Sequence, residues 1–239
     1  QMDLDRLRLY PDPEAKDLVR AIASYHGVED DQVFVGVGSD DVLAMSFLTF
    51  FNADKPVLFP DITYSFYDVW ADLFRIPYET PALDDDFHIV AADYYKANGG
   101  VIFPNPNAPT GQLVELSFIE DILEHNQDVI VIVDEAYIDF GGQTALPLLE
   151  KYENLLVVRT FSKSRCLAGL RIGYAIGNPS LIKALNDVKY SFNSYTMNYP
   201  TIVMGTACME DEEYFRDTVH KVMATREWFG KELIRLGFI

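Results

Sequence analysis

Lys163 is the residue around which a chemistry can be written. It stands in Thr160-Phe161-Ser162-Lys163-Ser164-Arg165-Cys166-Leu167-Ala168-Gly169-Leu170-Arg171-Ile172-Gly173-Tyr174, just after an apolar, strand-like run. A lysine that is desolvated or set near other cations loses its proton more readily and becomes a nucleophile toward a carbonyl. Arg165 and Arg171 are expected to supply that like charge. The hydroxyls of Thr160 and Ser162, with the forked guanidinium of Arg171, suit a phosphate. A second candidate closes the run Ile132-Val133-Asp134-Glu135-Ala136-Tyr137. A carboxylate at the end of a wholly apolar strand is costly to leave unpaired, so it calls for a cation, a protonated ring nitrogen or a metal. Asp134 is the first choice and Glu135 the alternative; the lack of a nearby histidine argues against a metal.

Two more strand-to-loop junctions carry signals. Gly36-Val37-Gly38-Ser39-Asp40-Asp41 reads as a tight turn into a helix whose free N–H groups can hold a phosphate, although a plain capped turn explains it equally. Asp41 stands where a dinucleotide fingerprint needs its third glycine, so that reading fails. Phe103-Pro104-Asn105-Pro106-Asn107-Ala108-Pro109-Thr110-Gly111 is a stiff loop that presents amides at fixed angles. A nucleophilic lysine, a buried carboxylate, a phosphate cradle and fixed amides are together what pyridoxal 5′-phosphate requires: an amine for its aldehyde, an acid for its ring nitrogen, and a seat for its phosphate. No metal is expected. His88 and His125 fall on exposed-looking segments, and Cys166 and Cys208, outside any metal-ligand spacing, read as small buried hydrophobes.

The elements that must position these residues alternate between helix-like and strand-like. Asp12-Pro13-Glu14 reads as a helix start, and Gly27 as its C-terminal cap. Next come a strand over 32–37, a helix over 40–51, a strand over 56–59, a helix over 64–74 and a short strand over 76–79. Val101–Phe103, Val129–Val133 and Leu155–Val158 are apolar runs without alternation, the pattern of strands covered on both faces. Strand-helix alternation of this kind predicts an α/β fold with an open sheet, whose ligands collect beyond the carboxyl ends of the strands. Residues 181–236 read as mainly helical, with Glu210-Asp211-Glu212-Glu213 as a solvated helix start.

Composition narrows the classes of function. In 239 residues, 19 Lys and Arg against 37 Asp and Glu give a net charge of −18. Such a surface repels phosphodiester backbones and anionic lipid, so no nucleic-acid or membrane partner is expected. No run reaches the roughly 18 apolar residues of a membrane span, and no secretory leader is legible, so a reducing cytoplasm is the expected compartment. The ends, Gln1 and Gly237-Phe238-Ile239, read as part of a longer polypeptide, the latter as the chain entering a further strand.

The segments Asn105–Gly111, Asp134-Glu135-Ala136-Tyr137-Ile138-Asp139-Phe140 and Phe161–Tyr174, in this order and spacing, resemble the histidinol-phosphate aminotransferases of the fold-type I, aspartate-aminotransferase-like group. The likeness runs from Leu9-Tyr10-Pro11 nearly to the end of the chain. It implies a three-layer α/β/α fold with a mostly parallel sheet of the PLP-dependent transferase type and an incomplete small domain. Residues 1–190 would form the large cofactor-binding domain, and residues 191–239 a helical segment leading into a truncated C-terminal small domain. By the same resemblance, Lys163 is the catalytic covalent anchor and proton shuttle, and Asp134 pairs with the ring nitrogen. Tyr137 and Asn107 hold the ring hydroxyl, Tyr64 stacks on the ring, and Ser39, Asp40, Thr160, Ser162 and Arg171 bind the phosphate. Tyr10 reaches that phosphate from the neighbouring subunit of a homodimer. The implied reaction passes the amino group of L-histidinol phosphate to 2-oxoglutarate in histidine biosynthesis. This chain departs from the family at Ala108, where asparagine commonly precedes Pro-Thr-Gly. The family's substrate-carboxylate arginine and its N-terminal arm are expected beyond Ile239 and before Gln1. Rival readings are an aromatic amino-acid aminotransferase, a phosphothreonine-type decarboxylase and a non-catalytic PLP-binding regulatory domain. The last would want a basic DNA-binding partner segment, which neither the charge nor this chain offers.

Overall fold

The computed structural model describes residues 2–238. Seven strands form one sheet: β1 (Val33–Gly36), β2 (Val57–Leu58), β3 (Tyr78–Glu79), β4 (Gly100–Pro104), β5 (Val131–Asp134), β6 (Leu155–Thr160) and β7 (Gly173–Gly177). Their order is β1-β7-β6-β5-β4-β2-β3, and all neighbours are parallel except β7, which runs antiparallel to both β1 and β6. The helices are α1 (Lys16–His26), α2 (Ser39–Phe50), α3 (Tyr67–Phe74), α4 (Leu116–His125), α5 (Pro179–Phe192), α6 (Tyr199–Glu210) and α7 (Glu212–Arg235).

The sheet is covered on both faces, which is why its strands read as unbroken apolar runs. Alternate residues go to opposite sides. Ile132, Leu156, Val158 and Ala175 pack with Val42, Phe47 and Trp70 of α2 and α3 and with Leu185 of α5. Val131, Val133, Leu155 and Val157 pack with Ile119, Ile122 and Leu123 of α4, and Val33, Val35 and Ile176 with Leu18 and Ile22 of α1 and Ile202 of α6. The result is the open α/β sheet that the strand-helix alternation predicts, in the three-layer α/β/α arrangement that the family resemblance implies. The boundary expected at residue 190 falls inside α5, and α6 beyond it packs Ile202 and Met209 into the same core as α1.

Several local expectations shift. The helix expected from residue 12 begins at Lys16, with Ala15 in the N-cap position; Asp12 still satisfies the turn, accepting from the N–H groups of Glu14 and Lys16. Gly27 caps that helix as predicted, at φ 69°. The helix expected from Tyr64 begins at Tyr67, and the strand expected over 129–133 is shifted to Val131–Asp134. The acidic run straddles a junction, with Asp211 as N-cap of α7. Cys166 is exposed, on the turn after Lys163 at φ 56°, and Cys208 is half-buried at the margin of the core shared by α1 and α6, so neither is the fully buried small hydrophobe expected. The further strand anticipated at the C-terminal end would include Ile239, outside the described residues. No helix among the described residues is long and apolar enough to cross a membrane.

Candidate active site

The sheet register brings the predicted junctions to one edge. Pro104 of β4 lies beside Asp134 of β5, and Asp134 beside Val158 of β6. Gly173, the first residue of β7, pairs with both Thr160, the last of β6, and Gly36, the last of β1. Because β7 is antiparallel, the segment entering it, with Arg171, arrives at the carboxyl edge of its neighbours. Close approach there demands glycine: a Cβ on Gly173 would lie 2.2 Å from the backbone of Gly38 and Ser39. No side-chain rotation relieves a clash with backbone, so Gly173→Ala is expected to cost about 3 kcal/mol in urea unfolding.

At this edge lies a cavity of about 230 Å³. Asp134, Lys163, Tyr137 and Tyr64 line it, together with Ser39 and Asp40 at the start of α2, and Ser162 and Arg171. A larger groove of about 520 Å³ between α1 and α5 contains none of the predicted residues; chemistry, not volume, selects the site. Asp134 is 4% exposed. Its Oδ2 accepts from the Tyr67 hydroxyl at 2.9 Å and its Oδ1 from the Ala136 N–H at 3.2 Å. Among the described residues no cation pairs with it. Burial lifts its carboxyl to about 6, against the opposing pull of those two hydrogen bonds. The Lys163 ammonium lies 5.0 Å from the centre of the Tyr137 ring. The Arg171 guanidinium faces Asp40 at 3.4 Å, and the Tyr64 hydroxyl donates to the same carboxylate at 2.7 Å. The first turn of α2 presents backbone N–H groups beside this guanidinium, a favourable place for an anion.

Other predicted residues stand behind the wall. Thr160 Oγ1 accepts from the Ser162 N–H at 3.1 Å and donates to the Ile172 carbonyl, so it shapes the lysine loop. Asn107 is buried and donates to the Ile62 carbonyl at 2.9 Å and to Thr110, while its Oδ1 accepts from the Thr63 hydroxyl. It therefore ties the proline loop to the segment bearing Tyr64. Tyr10 is 82% exposed against Tyr195, away from the cavity of its own chain. Arg165 does not act on Lys163 as expected. Its guanidinium sits 4.7 Å from the centre of the Tyr25 ring and 4.1 Å from that of Phe215, with Nη1 donating to the Cys208 carbonyl.

Sequence reading passed over two features. One is Tyr67, fully buried against Asp134; its only trace is the three-residue spacing from Tyr64. The other is a buried network in which Glu135 and Asp139 both grip Arg159 of β6, at 2.8 and 3.2 Å, and Asp139 accepts from Ser164, the neighbour of Lys163. Glu135 thus turns away from the cavity, and of the two carboxylates only Asp134 lines it. Removing one partner strands a buried charge, so Arg159→Met is expected to lower stability by about 3–5 kcal/mol in denaturant titration.

The family model described as "Aminotransferase class I and II" matches residues 2–239. The chain belongs to this family. Among aminotransferases it is 55% identical, over 98% of its length, to the histidinol-phosphate aminotransferase of Lactococcus lactis subsp. cremoris strain MG1363. It is 56% identical, over 99% of its length, to histidinol-phosphate aminotransferase 2 of Dechloromonas aromatica. It spans 66% and 67% of those two proteins. The histidinol-phosphate aminotransferase of Clostridium acetobutylicum superposes with a TM-score of 0.89 at 24% identity, over 99% of this chain and 71% of that one, and shows the fold. That of Sinorhizobium meliloti, solved in complex with pyridoxal-5′-phosphate, gives a TM-score of 0.84 at 25% identity, over 95% and 64%.

Proposed function

We propose that this chain is the cofactor-binding part of an enzyme that passes the amino group of L-histidinol phosphate to 2-oxoglutarate in histidine biosynthesis, with pyridoxal 5′-phosphate as cofactor. One observation carries the reading. Asp134 is buried in the wall of a cavity with two neutral donors and, among the described residues, no cation paired with it, in a lining shared with a lysine and an arginine-flanked helix start. A ligand with a protonated ring nitrogen, an aldehyde and a phosphate answers all three groups, so the residues present fit this cofactor. The relatives at 55% and 56% identity supply the substrate, since both are named for histidinol phosphate.

When bound, the cofactor supplies an aldehyde for covalent attachment and a conjugated ring that takes up electrons from the substrate's α-carbon. The rest of the work falls to the chain. Lys163 would hold the aldehyde through Nζ, and as a neutral amine it would serve to move a proton at the substrate carbon. Asp134 would hold the proton on the ring nitrogen, and Tyr64, in the same cavity wall, would face the ring. Arg171, Ser162 and Ser39, with the first N–H groups of α2, bind the phosphate; Asp40 contributes its backbone, its carboxylate being engaged by Arg171 and Tyr64. Thr160 and Asn107 would support these contacts from behind, and Tyr137, which lines the cavity, would hold the ring hydroxyl. We place the enzyme in the cytoplasm as a homodimer, in which the exposed Tyr10 serves the neighbouring subunit's phosphate site.

The test is the absorption spectrum of the purified protein titrated with pyridoxal phosphate, followed by donor profiling of the full-length enzyme. A visible band abolished by borohydride, and amino transfer from L-histidinol phosphate faster than from aromatic amino acids, are expected. No band, a preference for aromatic donors, or carbon dioxide release from phosphothreonine would overturn the reading.

A further inference from the structure

Tyr67 opens α3, three residues after Tyr64, and is fully buried. Its ring is wedged among Phe47, Phe59 and Trp70, with centroids 6.2, 5.8 and 6.3 Å away. These contacts fix the direction of the hydroxyl, which gives Asp134 its one side-chain hydrogen bond among the described residues, at 2.9 Å on Oδ2. The Ala136 N–H takes the other oxygen. Each carboxylate oxygen thus has one donor from the protein and keeps lone pairs for a ligand.

We propose that Tyr67 is a positioning residue for the amino-transfer site: its hydroxyl orients the Asp134 carboxylate toward the cavity and favours its anionic form, an inference that rests on the pyridoxal phosphate reading above. The choice of a hydroxyl is physically specific. A lysine or arginine at this place would neutralise Asp134 and remove its attraction for a protonated ring nitrogen. A buried phenol holds its own proton, since burial and the adjacent carboxylate both raise its titration point, so it supports the anion without cancelling the charge. The surroundings make such support necessary. Asp40 from α2 and Glu135, the residue that follows β5, both disfavour the anion, on top of burial. Tyr64, Lys163 and Arg171 also line the cavity.

The experiment uses the full chain as wild type, Tyr67→Phe, Asp134→Asn and the double variant. Phenylalanine keeps the ring packing and removes the hydroxyl alone. Pyridoxal phosphate affinity is measured by absorbance titration, and thermal unfolding of the cofactor-free proteins is followed from about pH 5 to about pH 8. Tyr67→Phe is expected to weaken cofactor binding about tenfold when Asp134 is present and by less than about twofold in the Asp134→Asn background. It is also expected to enlarge the loss of melting temperature on raising the pH, an enlargement absent in the Asp134→Asn background. Equal weakening in both backgrounds would make Tyr67 a packing residue only and overturn the proposal, as would a pH dependence identical to wild type. If wild type binds no pyridoxal phosphate, the cofactor reading fails, while the unfolding series still decides whether Tyr67 acts on Asp134.

Discussion

Lys163→Ala protein treated with pyridoxal phosphate and borohydride is expected to retain no covalently fixed cofactor, and transamination by the full-length enzyme to fall by roughly 10⁴-fold or more. Lys163 is the one lysine among the residues lining the cavity, so no neighbouring amine can take its place. Fold damage does not account for the loss. The Lys163 side chain is exposed, makes no ion pair among the described residues, and has its ammonium 5.0 Å from the centre of the Tyr137 ring. Its removal should therefore change stability by no more than about 0.5 kcal/mol, as for other exposed positions. A melting temperature equal to wild type with no fixed cofactor is the expected pair of results. Retention of a reducible adduct after Lys163→Ala would remove the anchor from the mechanism.

In the Asp134→Asn protein, transamination is expected to fall by about 10²- to 10³-fold, because a neutral amide cannot hold a proton on the ring nitrogen electrostatically. The cofactor-free protein moves the other way. The Asp134 carboxyl is lifted by burial to about 6, so the folded chain favours its neutral form. The stability this group contributes is complete below its ordinary, unfolded-state titration point and is lost as the pH rises through about 6. At neutral pH the carboxylate thus penalises the cofactor-free fold by roughly 3 kcal/mol, and the asparagine variant should escape much of that penalty. Less activity with a higher melting temperature at neutral pH, and little difference near pH 4, is a combination that a purely structural aspartate would not produce. Unchanged activity would show that the ring nitrogen has another partner.

These two residues were legible before any coordinates because of where they fall. Asp134 closes, and Lys163 follows, a strand whose apolar residues run without alternation, and such strands lie in a sheet covered on both faces, whose carboxyl edge gathers ligands. Local chemistry also marked the turn at Gly36-Val37-Gly38 and the proline loop. Less local features were not legible. Arg165 is two positions from Lys163, yet it turns onto Tyr25 and Phe215 on the far side of the loop. Asn107 spends its amide on Ile62 and Thr110 rather than facing the cavity. Sequence proximity sets neither direction, because each is decided by the helix or loop that packs opposite.

What the amino-acid sequence determined alone is the inventory: an α/β chain of buried strands, and the residue types at each strand's exit. Those follow from periodicity and from the expense of burying a charge, both of which act within a few residues of chain. What only the tertiary structure decided is which of those exits meet and who partners whom. The antiparallel entry of β7 carries Arg171 to the edge that holds Asp134. The partner of Asp134, Tyr67, comes from a helix 67 residues earlier. Register and packing between distant segments settle such pairings, because a hydrogen bond of a few ångströms depends on the summed placement of every element between its two ends.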